Sequence, residues 1–99
     1  MNTHIQYTEI FELKELLKNA NVSFEFFDRG AEFRNKKIFE QFHEYWQIKI
    51  SVKDKCFSIV QFFGSFGNLE IMWPSGEIER YKNAKDLFNE LCSRGVHGH

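Results

Sequence analysis

The feature that most constrains the fold is a strict two-residue alternation between Tyr45 and Lys53. Apolar side chains occupy every second position, at Trp46, Ile48, Ile50 and Val52. A period of two is typical of a β-strand with one buried face. The polar residues 53–55 form a tight connection, and residues 56–63 are again rich in β-branched and aromatic side chains. The two segments therefore predict an antiparallel hairpin.

Turn signals extend this hairpin into a β-meander. Residues 64–68 contain two glycines, and residues 74–76 combine proline, serine and glycine, which favour tight turns. They bracket a predicted third strand, Leu69–Trp73, and a fourth follows at Glu77–Tyr81. Upstream, Val22–Phe27 is short and aromatic, which favours one more strand. We expect an antiparallel meander sheet of about four to five strands.

Two amphipathic helices are predicted at the ends of the chain. Residues Thr8–Ala20 carry apolar side chains three and four positions apart, with Thr8 as the N-cap. A second helix runs from Ala84 to about Cys92, with Asn83 as its N-cap and Gly95 at its exit. A sheet packed against an N-terminal and a C-terminal helix gives a two-layer α+β domain.

With 99 residues the chain is expected to form one domain over residues 1–99, since two cores would leave neither large enough. Residues 31–43 fit either one short helix or a long loop that covers the sheet. Residues 29–43 are read as an insertion, and residues 95–99 as a frayed tail.

Signatures of catalysis are missing from the sequence. It has neither a Walker phosphate loop nor a dinucleotide-binding glycine pattern, and Gly64–Gly67 is read as a structural turn. The histidines are not spaced for zinc, and Cys56 and Cys92 are read as buried thiols in a reducing cytoplasm. Residues 1–6 lack a leader pattern, and no apolar run reaches a membrane-spanning length. We expect no enzyme activity, cofactor, metal or membrane association.

Charge is unevenly distributed although the formal net charge is −1. Residues 29–55 contain seven basic and four acidic residues, the only basic third of the chain. This pattern supports an alternative in which the protein binds nucleic acid. The phosphate-binding residues would be Arg34, Lys36, Lys37, Lys49, Lys53 and Lys55, and the base-stacking residues Phe39, Tyr45 or Tyr81.

The alternation also divides the side chains between two sheet faces. The face toward the helices is expected to carry Trp46, Ile48, Ile50, Phe57, Ile59, Leu69, Ile71, Trp73 and Ile78. An apolar centre with a mixed-charge rim is expected on the opposite face, as in protein-binding patches. Its proposed binding residues are Val60, Phe62, Met72, Tyr81, Lys49 and Glu70, with Glu79 also in the rim. Alternatively, residues 31–43 cover this face.

The second half of the chain resembles small uncharacterised proteins of Gram-positive phages and prophages. The resemblance lies in the Gly64–Gly67 turn, the following Leu69–Met72 strand, and the Ile78–Tyr81 strand leading into Ala84–Phe88. The leucine-rich opening helix and the Val22–Phe27 segment resemble that pattern too. Residues 29–43 depart from it. The resemblance implies a cytoplasmic accessory protein made in the bacterial host, without catalytic residues to transfer.

Taken together, these patterns predict a non-enzymatic binding module that contacts a host or phage protein through the outer sheet face and residues 29–43. The resemblance suggests inhibition of a host defence system, such as anti-CRISPR activity. The alternatives are nucleic-acid binding through residues 29–55 and sequestration of a small nucleotide by a homodimer.

Overall fold

The computed structural model describes residues 7–98, so the expectations about residues 1–6 and His99 lie outside the described residues. The elements follow the predicted order, with five strands and three α-helices. They are α1 (Glu9–Asn19), β1 (Glu25–Asp28), α2 (Ala31–Lys36), β2 (Trp46–Val52), β3 (Lys55–Gln61), β4 (Leu69–Met72), β5 (Ile78–Tyr81) and α3 (Ala84–Ser93). Short 3₁₀ turns lie at Glu40–Phe42 and Phe63–Ser65.

The sheet is an antiparallel meander in the order β1-β2-β3-β4-β5, which confirms the predicted α+β class. Its register aligns Ile48 with Ile59, and Ile59 with Ile71, so that buried aliphatic side chains form a row across the central strands. Helices α1 and α3 cover this inner face. Their fully buried residues are Ile10, Leu13 and Leu17 from α1, and Ala84, Leu87 and Leu91 from α3.

The N-terminus of α1 is capped by a residue from the sheet. Thr8 occupies the N-cap position, but its side chain makes no capping hydrogen bond. Instead, the backbone N–H of Ile10 donates to Oε1 of Gln61 at 2.9 Å, and Nε2 of Gln61 donates to the carbonyl of Gly67 at 2.8 Å. Gln61 is only 3% exposed. Because both ends of its amide are paired, a buried polar group becomes a link between helix, strand and turn.

Both long helices end in the same backbone motif. Asn21 and Gly95 adopt positive φ, and the next N–H bonds back to the helix, from Val22 to Leu17 and from Val96 to Leu91. Val22 therefore completes the end of α1, which is why β1 starts three residues later than the predicted strand. Val96 is 1% exposed and packs in the core, although it belongs to the tail expected to fray.

We predict that Gln61→Leu lowers the free energy of unfolding by about 1–3 kcal/mol, because the Ile10 N–H and the Gly67 carbonyl lose their partner in a buried place. Urea denaturation followed by circular dichroism measures this change. The control is Gln47→Leu on the opposite face, where the amide contacts the side chains of Arg29 and Ser58. We expect a change within about 0.5 kcal/mol for the control. Equal losses in the two variants would contradict the capping role.

Candidate docking surface

The outer face of the sheet, opposite the helices, holds most of the predicted binding residues. Lys49, Val60, Glu70 and Met72 lie on this face. Met72 is 48% exposed, and Glu70 is paired with Arg80 on the neighbouring strand at 2.9 Å. The other side chains of the outer face are a mixture of apolar and charged groups, as the sequence pattern predicts.

The predicted positions of Ile78, Glu79 and Tyr81 are wrong, because each lies on the opposite face. The turn after β4 closes with a hydrogen bond from Trp73 N–H to the Glu77 carbonyl. This register pairs Ile78 with Met72 on the outer face, where Ile78 is 57% exposed. Tyr81 is aligned with Leu69 and packs against the core.

The surroundings of Tyr81 agree with this inner position. Burial raises the pKa of its phenol above the usual range, and the carboxylates of Glu79 and Glu90 raise it further. Glu79 accepts a hydrogen bond from the Trp73 indole at 2.5 Å, so it is also directed inward. The structure therefore places Glu79 and Tyr81 on the inner face and Ile78 on the outer face.

The segment from Arg29 to Tyr45, here called the aromatic loop, forms α2 and a separate 3₁₀ turn instead of one helix. Its two ends are held together, because the N–H groups of Arg29 and Gly30 both donate to the Tyr45 carbonyl, at 2.8 and 3.0 Å. Gly30 also lies so close to the His43 carbonyl that a Cβ atom would be 2.1 Å from that oxygen. A glycine is therefore required where the loop closes.

Six aromatic side chains pack together where the aromatic loop meets the end of β3. This group, here called the aromatic end, consists of Phe33, Phe39, Phe42, Tyr45, Phe62 and Phe63. Tyr45 stacks on Phe62 with ring centroids 4.1 Å apart, and Phe42 contacts both Phe62 and Phe63 at about 6 Å. The loop thus packs against the end of the outer face and leaves Met72 and Ile78 exposed.

The aromatic end presents large apolar side chains to solvent. Phe39 is 57% exposed, Phe63 is 51% exposed and the neighbouring Ile38 is 45% exposed. Phe66 follows in the turn after β3 and lies 5.2 Å from the guanidinium of Arg80. The sequence analysis placed Phe39 among the base-stacking candidates and in the 29–43 segment expected to take part in docking, but it missed Phe63 and Phe66. The available signal was three phenylalanines at positions 62–66, in a turn where polar residues are usual.

The basic residues proposed for nucleic-acid binding do not form one patch. Arg34 is paired with Asp28 and Lys36 with Glu32, so part of their charge is neutralised. Lys53 and Lys55 lie at the turn between β2 and β3. This turn is about 20 Å from Trp46 at the start of β2, since each strand residue advances by ~3.3 Å. Lys37 is near Lys36, and Lys49 lies midway along β2, 5.6 Å from the Phe27 ring.

A shallow groove of about 400 Å³ lies beside Trp73. Arg94 stacks on the Trp73 indole at 3.8 Å, but its guanidinium is also paired with Glu90 at 2.8 Å and with Glu79 at 3.5 Å. These contacts balance its charge within the fold. Lys55 is the second cationic side chain that lines this groove, besides Arg94.

Cysteine and metal chemistry give no competing site in the part of the chain that the structure describes. Cys56 is exposed on the outer face, opposite Ser51, and Cys92 is half-buried, so the prediction of a buried thiol is wrong for Cys56. No group of three or more potential metal ligands occurs between residues 7 and 98. Within the same residues, no helix is long and apolar enough to cross a bilayer.

No protein-family model, curated protein or solved structure matches the chain. The function proposed for this chain therefore rests on its own surfaces.

The corrected register gives a test. We predict that Tyr81→Glu lowers the free energy of unfolding by about 2 kcal/mol, because it places a carboxylate against the core and beside Glu79. Ile78→Glu, on the exposed side of the same strand, should change it by less than about 0.5 kcal/mol. Urea denaturation of both variants distinguishes the two faces. Greater destabilisation by Ile78→Glu would restore the orientation predicted from sequence.

Proposed function

We propose that this protein is a non-enzymatic module that binds another protein through its aromatic end and the adjoining part of the outer sheet face around Val60 and Phe62. The observation that carries the proposal is the exposure of Phe39 and Phe63, each more than half accessible although both belong to a packed aromatic cluster. Monomeric proteins rarely leave such neighbouring apolar groups in water without a binding role.

The construction of this surface favours binding. The exposed rings are fixed by ring contacts with Phe33 and Phe42, so little side-chain freedom is lost when a partner covers them. Aromatic side chains are also enriched among the residues that dominate binding energy in protein interfaces. A partner that buries Phe39 and Phe63 would gain apolar contact area at a low entropic cost.

The outer face extends this surface along the sheet. Phe62 follows β3 directly, and Val60 precedes it by two residues on the same face. The Glu70–Arg80 pair and the Gln47–Ser58 hydrogen bond supply the polar surroundings typical of an interface rim. This arrangement supports a protein partner, since two of the candidate phosphate-binding cations, Arg34 and Lys36, already have carboxylate partners.

The resemblance to phage and prophage proteins extends the proposal to the identity of the partner. We propose a host or phage protein in the bacterial cytoplasm, with inhibition of a host defence system as the resulting activity. Challenge of a defence-competent Gram-positive strain that expresses the protein tests this activity. Unchanged interference with phage or plasmid would remove the anti-defence role and leave the docking proposal standing.

The docking surface is tested by affinity capture from host lysate, in parallel with and without nuclease treatment. We predict that a stoichiometric protein partner is retained by the wild-type chain and lost with Phe39→Asp or Phe63→Asp. The reason is that removing an unpaired carboxylate from water in the apolar contact costs free energy. The matched control is Ile78→Asp, since Ile78 is as exposed as Phe39, at 57%, but lies on the edge strand β5. The control should retain the partner at near wild-type level.

The other outcomes of the capture are equally informative. Retention of the partner by both phenylalanine variants would exclude the aromatic end. Loss with Ile78→Asp alone would move the site to the β4–β5 side of the outer face. A partner that disappears only after nuclease treatment would instead favour nucleic-acid binding, with affinity that falls steeply with salt.

A further inference from the structure

We propose that the aromatic loop opens and closes independently of the core, and that Arg34 is the latch that holds it closed. The opening follows from the contacts within the fold alone. The effect of this opening on the exposure of Phe39 to a partner rests on the proposed function.

Little apolar burial holds the loop to the rest of the protein. Neither α2 nor the following 3₁₀ turn contains a buried residue, and the core residues come from elements outside the loop. Among the described residues, its aromatic ring contacts with the end of β3 are those of Phe42 and Tyr45 with Phe62 and Phe63. Segments with few buried contacts open at a lower free energy than the core does.

The backbone and polar groups of the loop also oppose its closed form. Lys37 and Phe39 both adopt positive φ, at 55° and 51°, a conformation that is unfavourable for residues with a side chain. The imidazole Nε2 of His43 is buried without a hydrogen-bond partner among the described residues. Specific interactions must compensate for these costs when the loop is closed.

The hydrogen bonds of Arg34 offset these costs of closing the loop. Its guanidinium donates one hydrogen bond to the His43 carbonyl and another to the carboxylate of Asp28. The Glu44 carboxylate lies 4.0 Å from the same group. Asp28 precedes the loop and His43 is near its end, so one side chain bridges both ends. Arginine is suited to this role because its planar fork reaches two acceptors at once.

The hinge lies where the ends of the loop meet. The Arg29 and Gly30 N–H groups share the Tyr45 carbonyl, and these bonds continue the β1–β2 ladder, which is part of the stable sheet. Opening beyond this point would separate Phe42 from Phe62, together with the Phe33 and Phe39 rings that pack on Phe42. A partner that recognises the closed aromatic end would then bind with an apparent affinity reduced by the closed fraction.

Amide hydrogen exchange followed by NMR tests the latch without any partner. In the wild-type protein, the hydrogen-bonded amides of Ile38 and His43 should exchange faster than those of the β2–β3 ladder. The free energy of this local opening should not change at low denaturant concentrations. Arg34→Gln should accelerate exchange of the loop amides roughly tenfold, the scale expected for a partly exposed charge-assisted network. The ladder amides should be unaffected.

The matched control is Arg80→Gln, which removes another exposed arginine–carboxylate pair, outside the loop. It should leave loop exchange at the wild-type rate. The proposal is overturned if loop and ladder amides exchange through one common opening, if Arg34→Gln leaves loop exchange unchanged, or if that variant accelerates both regions equally. If Arg34→Gln opens the loop but partner capture is unaffected, the latch stands and the link to docking through the aromatic end fails.

Discussion

The rest of the structure depends on one buried amide, the side chain of Gln61. It pairs with the first turn of α1 through Ile10 and with the turn after β3 through Gly67, so it fixes the helix relative to the sheet. An unpaired amide at 3% exposure would be costly, which restricts α1 to positions where both bonds form. Leu13 and Leu17 then face the row of aliphatic side chains on the central strands.

The two long helices are fixed to each other in a similar way. Glu9 in the first turn of α1 accepts a hydrogen bond from the Ala84 N–H at 2.8 Å, at the start of α3. The Asn83 side chain accepts another from Asp86. A carboxylate near two helix N-termini is also favoured by the helix dipoles. Since these contacts hold both helices on the inner face, the helices leave the outer face uncovered. The exposed phenylalanines Phe39, Phe63 and Phe66 lie in the aromatic loop and the turn after β3.

Sequence reasoning predicted the fold class, the hairpin, the turns and both long helices, because each depends on local periodicity and on turn or cap residues. It also placed Lys49, Val60, Glu70 and Met72 on the outer face, since alternation within a strand fixes relative orientation. It failed on β5, where Ile78 was assigned to the inner face and Glu79 and Tyr81 to the outer face. The turn between β4 and β5 sets that register, and a shift of one residue exchanges the two faces. Gln61 was missed because its buried role depends on partners far away in sequence, 51 residues from Ile10.

The sequence by itself therefore determined the five strands, the two long helices and, within each strand, which positions share a face. Only the tertiary structure decided where the aromatic loop lies, which phenylalanines remain exposed, and which of the basic residues are paired. The physical reason is that these outcomes depend on contacts between distant segments. Arg34 reaches Asp28 and His43 only after the loop has closed, and Phe42 meets Phe62 only after β3 has been placed. Local patterns carry information about backbone conformation and amphipathic faces, whereas the docking surface arises from how those faces are brought together.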